Sequence, residues 1–162
     1  MFKFSTRSIQ LLNTVDKRLV ILANEVLKIS KVDFGITEGW RSQEKQLEYY
    51  KKGTSQCDGI NKISKHQSGK AIDIICYDPK TNKPTYDKKE LYYYIAGLFE
   101  AKAEELVKSI FNKDEEDERN KGNKENKNYK DKIHNNTEDN RIKIQWGGWW
   151  SFEDCPHFEL KE

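Results

Sequence analysis

A chain of 162 residues, 35% hydrophobic and 35% charged, has the size of one domain and enough apolar residues for one modest core. Its formal net charge of +2 argues against nucleic acid as the main partner, and no stretch approaches the roughly 20 apolar residues of a membrane span. Cys57, Cys76 and Cys155 are odd in number and form no CxxC pair, which argues against both a disulfide framework and a thiolate zinc knot and leaves three reduced thiols.

Met1-Phe2-Lys3-Phe4-Ser5 has no charged segment followed by a long apolar run, so the chain reads as a cytoplasmic product without a secretory signal. From Ser8 to Lys28, the residues Ile9, Leu12, Val15, Leu19, Leu22, Ala23, Val26 and Leu27 recur at helical spacing and predict one amphipathic helix. Val32 to Thr37 predicts a short strand, which the chain leaves through Glu38-Gly39-Trp40-Arg41. Ser42 is placed to cap a second helix ending near Gly53, and residues 54–65 read as a polar loop. Ala71-Ile72-Asp73-Ile74-Ile75 predicts a buried strand, and Asp78-Pro79 through Pro84 a turn. Asp87 and Glu90 have capping-box spacing and open a third helix to about Ile110. Arg141 to Trp146 and His157 to Leu160 are the last strand candidates. Helices and strands are mixed without a βαβ rhythm, which makes the class α+β.

Residues 112–140 stand apart. They are almost wholly polar or charged, with Tyr129 and Ile133 the only large apolar side chains. Such a segment buries too little surface to offset its ordering entropy, and it is expected to be a flexible charged insertion in a single domain spanning 1–162. His134 lies inside it and is not counted as a ligand.

The stretch Ser64-Lys65-His66-Gln67-Ser68-Gly69-Lys70-Ala71-Ile72-Asp73 carries the chemistry. A carboxylate in the middle of Ala-Ile-Asp-Ile-Ile is costly to bury unless it is paired or metal-bound. Along a strand, Ile72 and Ile74 face one way, while Ala71, Asp73 and Ile75 face the other. Gly69 permits a tight turn that returns His66 toward Asp73. These residues fit a metal site, and they equally fit an Asp73–arginine pair with His66 at the surface. The C-terminal stretch Asp154-Cys155-Pro156-His157-Phe158-Glu159-Leu160 adds an acid three residues before a histidine. Pro156 withholds a ladder donor, so pairing begins at His157 with Phe158 and Leu160 facing the core, and Asp154 sits at the strand mouth. His66, Asp73 and His157 would form a two-histidine, one-carboxylate set with an open fourth position, as in catalytic zinc sites. A non-haem iron oxygenase also uses such a set, but commonly with one residue between histidine and acid in a β-barrel, unlike the six residues between His66 and Asp73 here.

With Asp154-x-x-His157 late in the chain, Ser64-x-His66-x-x-Gly69-x-Ala71-x-Asp73 resembles the zinc D-Ala-D-Ala carboxypeptidase and phage L-alanyl-D-glutamate endopeptidase family. Gly39-Trp40-Arg41-Ser42 with Gln46 matches that family's arginine-containing segment, and Trp146-Gly147-Gly148 with Pro156-His157-Phe158-Glu159-Leu160 looks like its endolysin branch. The resemblance covers residues of about 32–77 and 142–160, in order. It implies a hedgehog/D-Ala-D-Ala peptidase-like fold, a small antiparallel sheet with helices packed mainly on one face. It implies one Zn2+ on His66, Asp73 and His157, Asp154 as general base and then acid, and Arg41 on the scissile carbonyl oxygen. Ser64 and Gln46 become secondary substrate contacts, and Trp149 or Trp150 would line the cleft unless they pack in the core. The resemblance implies a peptidase of peptidoglycan stem peptides, and the missing secretory signal favours an endolysin that cleaves between L-Ala and D-Glu after release through a holin; a monomer is expected. The alternatives are a D,D-carboxypeptidase removing terminal D-Ala and a non-catalytic zinc-binding module.

Overall fold

A computed structural model describes the backbone of residues 1–120 and 142–161, and their side chains apart from those of 107–120. Helices α1 (Thr6–Leu12) and α2 (Lys17–Ile29) lead into strand β1 (Phe34–Glu38) and helix α3 (Gln43–Lys51). A 3-10 turn (Lys65–Ser68), strands β2 (Ala71–Tyr77) and β3 (Pro84–Thr85), helix α4 (Lys89–Asn120), and strands β4 (Ile144–Trp146) and β5 (His157–Leu160) follow. The sheet is antiparallel in order β1-β2-β5-β4, with β3 also paired to β2, so the expected α+β architecture is present.

The single helix expected over 8–28 is two. Ser5 caps α1 by accepting a hydrogen bond from the Ser8 amide, and Asp16 caps α2 by accepting one from the Arg18 amide at 2.9 Å. Two capping side chains eleven residues apart divide a run that the apolar period alone joins. The joint also holds the site's neighbourhood: Asp16 N donates to Gly69 O at 2.8 Å, and Trp40 N donates to Thr14 Oγ1 at 3.0 Å. Ile9 is 49% exposed, so the apolar stripe turns away from it.

Ser42 caps α3 as expected, accepting from the Lys45 amide. Helix α4 runs past the expected end near Ile110 to Asn120. The first nine residues of the expected insertion are therefore helical, and the remainder, 121–140, lies outside the described residues. Tyr92, Ile95, Ala96, Phe99 and Ala103 form the buried face of α4. They join Leu19, Leu22 and Val26 of α2 on one side of the sheet, against Phe34, Ile36, Ile72, Ile74, Phe158 and Leu160. Phe99 stacks on Phe158 with centroids 4.4 Å apart. Among the described residues, no helix is long and apolar enough to cross a membrane.

Candidate metal centre

The face of β2 opposite that core carries Asp73. In the antiparallel register His157 is its partner on β5, which places the two side chains next to each other on one face. On the other flank β1 is bulged: Ile36 pairs with Ile74, and the next partner pair is Glu38 with Asp73. Two β1 residues thus oppose one of β2, and the extra residue turns Glu38 off the core face that Ile36 occupies. Glu38, Asp73 and His157 form a row across three strands.

His66 arrives from the 3-10 turn. Ser64 and Gln67 form a reciprocal capping box at its start, and Gly69 ends it at φ 67° in the left-handed region. The turn is pinned to the segment after β1 by a hydrogen bond from Arg41 N to His66 O at 3.1 Å, and His66 is 1% exposed.

Three ligand atoms converge. His66 Nε2 lies 3.2 Å from Asp73 Oδ1 and 3.2 Å from His157 Nδ1, and His157 Nδ1 lies 3.0 Å from Asp73 Oδ1. A tetrahedral site with bonds of about 2.0 Å has edges of about 3.3 Å, so this triangle has nearly the size of one face of such a site. The far nitrogens are occupied: His66 Nδ1 sits 2.7 Å from Gly39 O, and His157 Nε2 sits 3.0 Å from Glu159 Oε2. When both rings donate outward through those nitrogens, two lone pairs and a carboxylate oxygen face one another with no proton between them. That arrangement needs a cation. Burial opposes charge on His157, but the Asp73 and Glu159 carboxylates overcome it and raise the imidazole to about 9, so without metal a proton takes that place. Burial also pushes Asp73 up, yet attraction to His66 and hydrogen bonds with both histidines outweigh it and hold the carboxyl low.

Arg41 lies behind Asp73. It is 6% exposed, with NH1 donating to Gln46 Oε1 at 2.8 Å and NH2 donating to Glu38 Oε2 at 2.7 Å and toward Asp73 Oδ2 at 3.4 Å. Its guanidinium lies 4.6 Å from the centroid of the Tyr49 ring. Asp154 stands on the loop before β5. Asp154 N donates to Gly147 O at 3.0 Å, His157 N donates to Asp154 O at 3.1 Å, and buried Trp146 ties the loop down by donating from Nε1 to Cys155 O at 2.6 Å. Burial, and then the charge on Asp73, raise the Asp154 carboxyl above the usual range. His66, Asp73, His157, Arg41 and Asp154 all line one cleft of about 1020 Å³.

A model of the family described as phage L-alanyl-D-glutamate peptidase matches residues 1–140. The chain belongs to that family. The L-alanyl-D-glutamate peptidase of Escherichia phage T5 is 32% identical over 105 residues, which is 65% of this chain and 74% of that protein. The crystal structure of the Serratia marcescens L-Ala D-Glu endopeptidase ChiX superposes with a TM-score of 0.68 at 25% identity, covering 99% of this chain and 90% of that one. The fold expected from the resemblance is thereby supported, and the chain is a peptidase of this family.

For this peptidase the expected substrate contacts divide. Ser64 lines the cleft while its hydroxyl caps the His66 turn. Gln46 does not reach the cleft: it is 0% exposed, accepts from Arg41, and donates from Nε2 to Ser55 Oγ and Cys57 O. Its amide holds the arginine and the 55–57 loop. Trp149 is 66% exposed and packs edge-on against Trp146 and Tyr93, while Trp150 lines the cleft with its ring centroid 5.0 Å from that of His157. The sequence reading missed Glu38, Glu159 and the Gly39 carbonyl. Of these, Glu159 was within reach, since residues two apart on a strand share a face.

Proposed function

We propose that this chain is an endolysin that hydrolyses the L-Ala–D-Glu bond of peptidoglycan stem peptides, with Zn2+ held by His66, Asp73 and His157. The carrying observation is the triangle of ligand atoms at 3.0–3.2 Å, lining the same cleft as Asp154, in a chain of this family. Zinc bound there would supply a Lewis acid and lower the pKa of a water at its open position. Asp154 takes a proton from the attacking water and delivers it to the amine of D-Glu as the bond breaks. A carboxyl raised by burial suits both halves of that task. Arg41 is held by Glu38 and Gln46 with its Nε free of any hydrogen-bond partner, and it sets positive charge beside the oxyanion that develops on the L-Ala carbonyl. Trp150, beside the His157 ring, and Ser64, at the start of the His66 turn, line the cleft. The chain acts as a monomer and reaches the wall after holin-mediated release.

Digestion of defined muropeptides, read by mass spectrometry, tests this reading. The expected products are stem peptides that begin at D-Glu, formed by the zinc-loaded protein and lost on chelation. Free D-Ala with the L-Ala–D-Glu bond intact would make the enzyme a D,D-carboxypeptidase. An inert protein holding stoichiometric zinc would make it a binding module.

A further inference from the structure

The two histidines are oriented by different partners. His66 Nδ1 meets a neutral backbone carbonyl, Gly39 O, at 2.7 Å, whereas His157 Nε2 meets a carboxylate, Glu159 Oε2, at 3.0 Å. Glu159 is two residues along β5 from His157 and therefore on the same face. Its partners across the sheet are Ala71 on β2 and Gln145 on β4, neither of which carries a charge to neutralise it. Its side chain is 16% exposed. The His157 ring stands between Glu159 and the ligand triangle, so Glu159 is not among the atoms that converge there.

We infer that Glu159 is a positioning residue that commits His157 to binding the metal through Nδ1 and raises the electron density on that nitrogen. The inference rests on the zinc reading above. An acceptor fixed at Nε2 holds the proton there and leaves the Nδ1 lone pair pointing at Asp73 Oδ1 and His66 Nε2. Without it, the imidazole can hold its proton on Nδ1 and present an N–H to the metal, or can flip about χ2 and present the Cδ2–H carbon in place of Nδ1. The His66 side needs no such carboxylate. The Gly39 carbonyl is fixed by its neighbours, because an added Cβ on Gly39 would lie 2.6 Å from Leu11 O and 2.7 Å from Thr14 Oγ1. The chain therefore holds its two histidines in opposite tautomers, one set by rigid backbone and one by an adjacent acid.

The test uses the full-length protein, with zinc affinity measured by chelator competition for wild type, Glu159→Gln and Glu159→Ala. Far-UV circular dichroism of each metal-free protein checks folding. Wild type is expected to bind one zinc, Glu159→Ala to bind about 10- to 100-fold more weakly, and Glu159→Gln to recover most of the loss because its amide oxygen accepts the same proton. In zinc-loaded wild type with 15N-labelled histidine, His157 is expected to carry its proton on Nε2 and His66 on Nδ1. Wild-type affinity in Glu159→Ala, or metal on His157 Nε2, would overturn the inference while leaving the zinc reading intact. A wild-type chain that takes up no zinc would overturn both.

Discussion

Gly147→Ala isolates the loop that joins Asp154, the proposed base, to His157, a proposed metal ligand. A Cβ at position 147 would lie 2.6 Å from Asp154 O, 3.1 Å from Asp154 Cβ and 3.1 Å from His157 Cβ. Gly147 is not among the glycines with positive φ, so the whole effect is steric. To restore ordinary contact at 3.4 Å, the Asp154 carbonyl must retreat by roughly 0.8 Å. That carbonyl accepts from His157 N, and Gly147 O accepts from Asp154 N, so base and ligand are displaced together. Misplacement of about 1 Å costs on the order of 100-fold, or about 2.7 kcal/mol of transition-state stabilisation. The expected outcome is a fall in kcat/KM on muropeptide of roughly 30- to 100-fold in a protein that still folds. Gly97→Ala serves as the control. Nothing lies within 4 Å of a Cβ there, at an exposed position inside α4. It should gain up to about 1 kcal/mol of stability with unchanged turnover. Wild-type kcat/KM in Gly147→Ala would refute the reasoning.

Other consequences are open to direct measurement. Phe99→Ala removes a fully buried ring stacked on Phe158 and is expected to cost about 3–5 kcal/mol in denaturant unfolding; a loss below about 1 kcal/mol would contradict the core described. In the metal-free protein, His157 is raised from 6.5 to about 9, so its contribution to stability is fully present below pH 6.5 and is lost as pH rises through about 9. Unfolding of chelated protein across that range should show the decline in wild type and a smaller one in His157→Ala. Zinc competes with the same proton, so apparent affinity should tighten as pH rises toward about 9. Chelation should lower Tm and abolish hydrolysis, and both should return when zinc is restored, because the proposed ligands His66, Asp73 and His157 are brought together only by the fold.

Local patterns made much of this molecule readable. Alternation in Ala71–Ile75 put Asp73 opposite the core, and Pro156 set the start of β5, so Asp73 and His157 could be placed on strands before their pairing was known. Ser42 announced α3. What escaped depended on contacts distant in sequence. The break between α1 and α2 is coupled to Gly69 and Trp40, neither of which a helical period can register. Glu38 stands at the exit from the strand expected over 32–37, and only the bulge against β2 turns it to the site. Gln46 has the residue type of a substrate contact, yet its amide is consumed by Arg41, Ser55 and Cys57. Trp149 and Trp150 are adjacent and alike, and the 3-10 turn at Gly147–Trp149 decides which of them faces the cleft.

The division of labour between ligands and base is tested most directly by comparing Asp154→Ala with His66→Ala for both zinc content and muropeptide hydrolysis. Asp154→Ala should hold one zinc per chain, as wild type does, while losing about 100- to 10,000-fold in turnover. His66→Ala should lose zinc and activity together. Equal zinc loss in the two variants, or near-normal turnover in Asp154→Ala, would contradict a metal centre of His66, Asp73 and His157 served by Asp154.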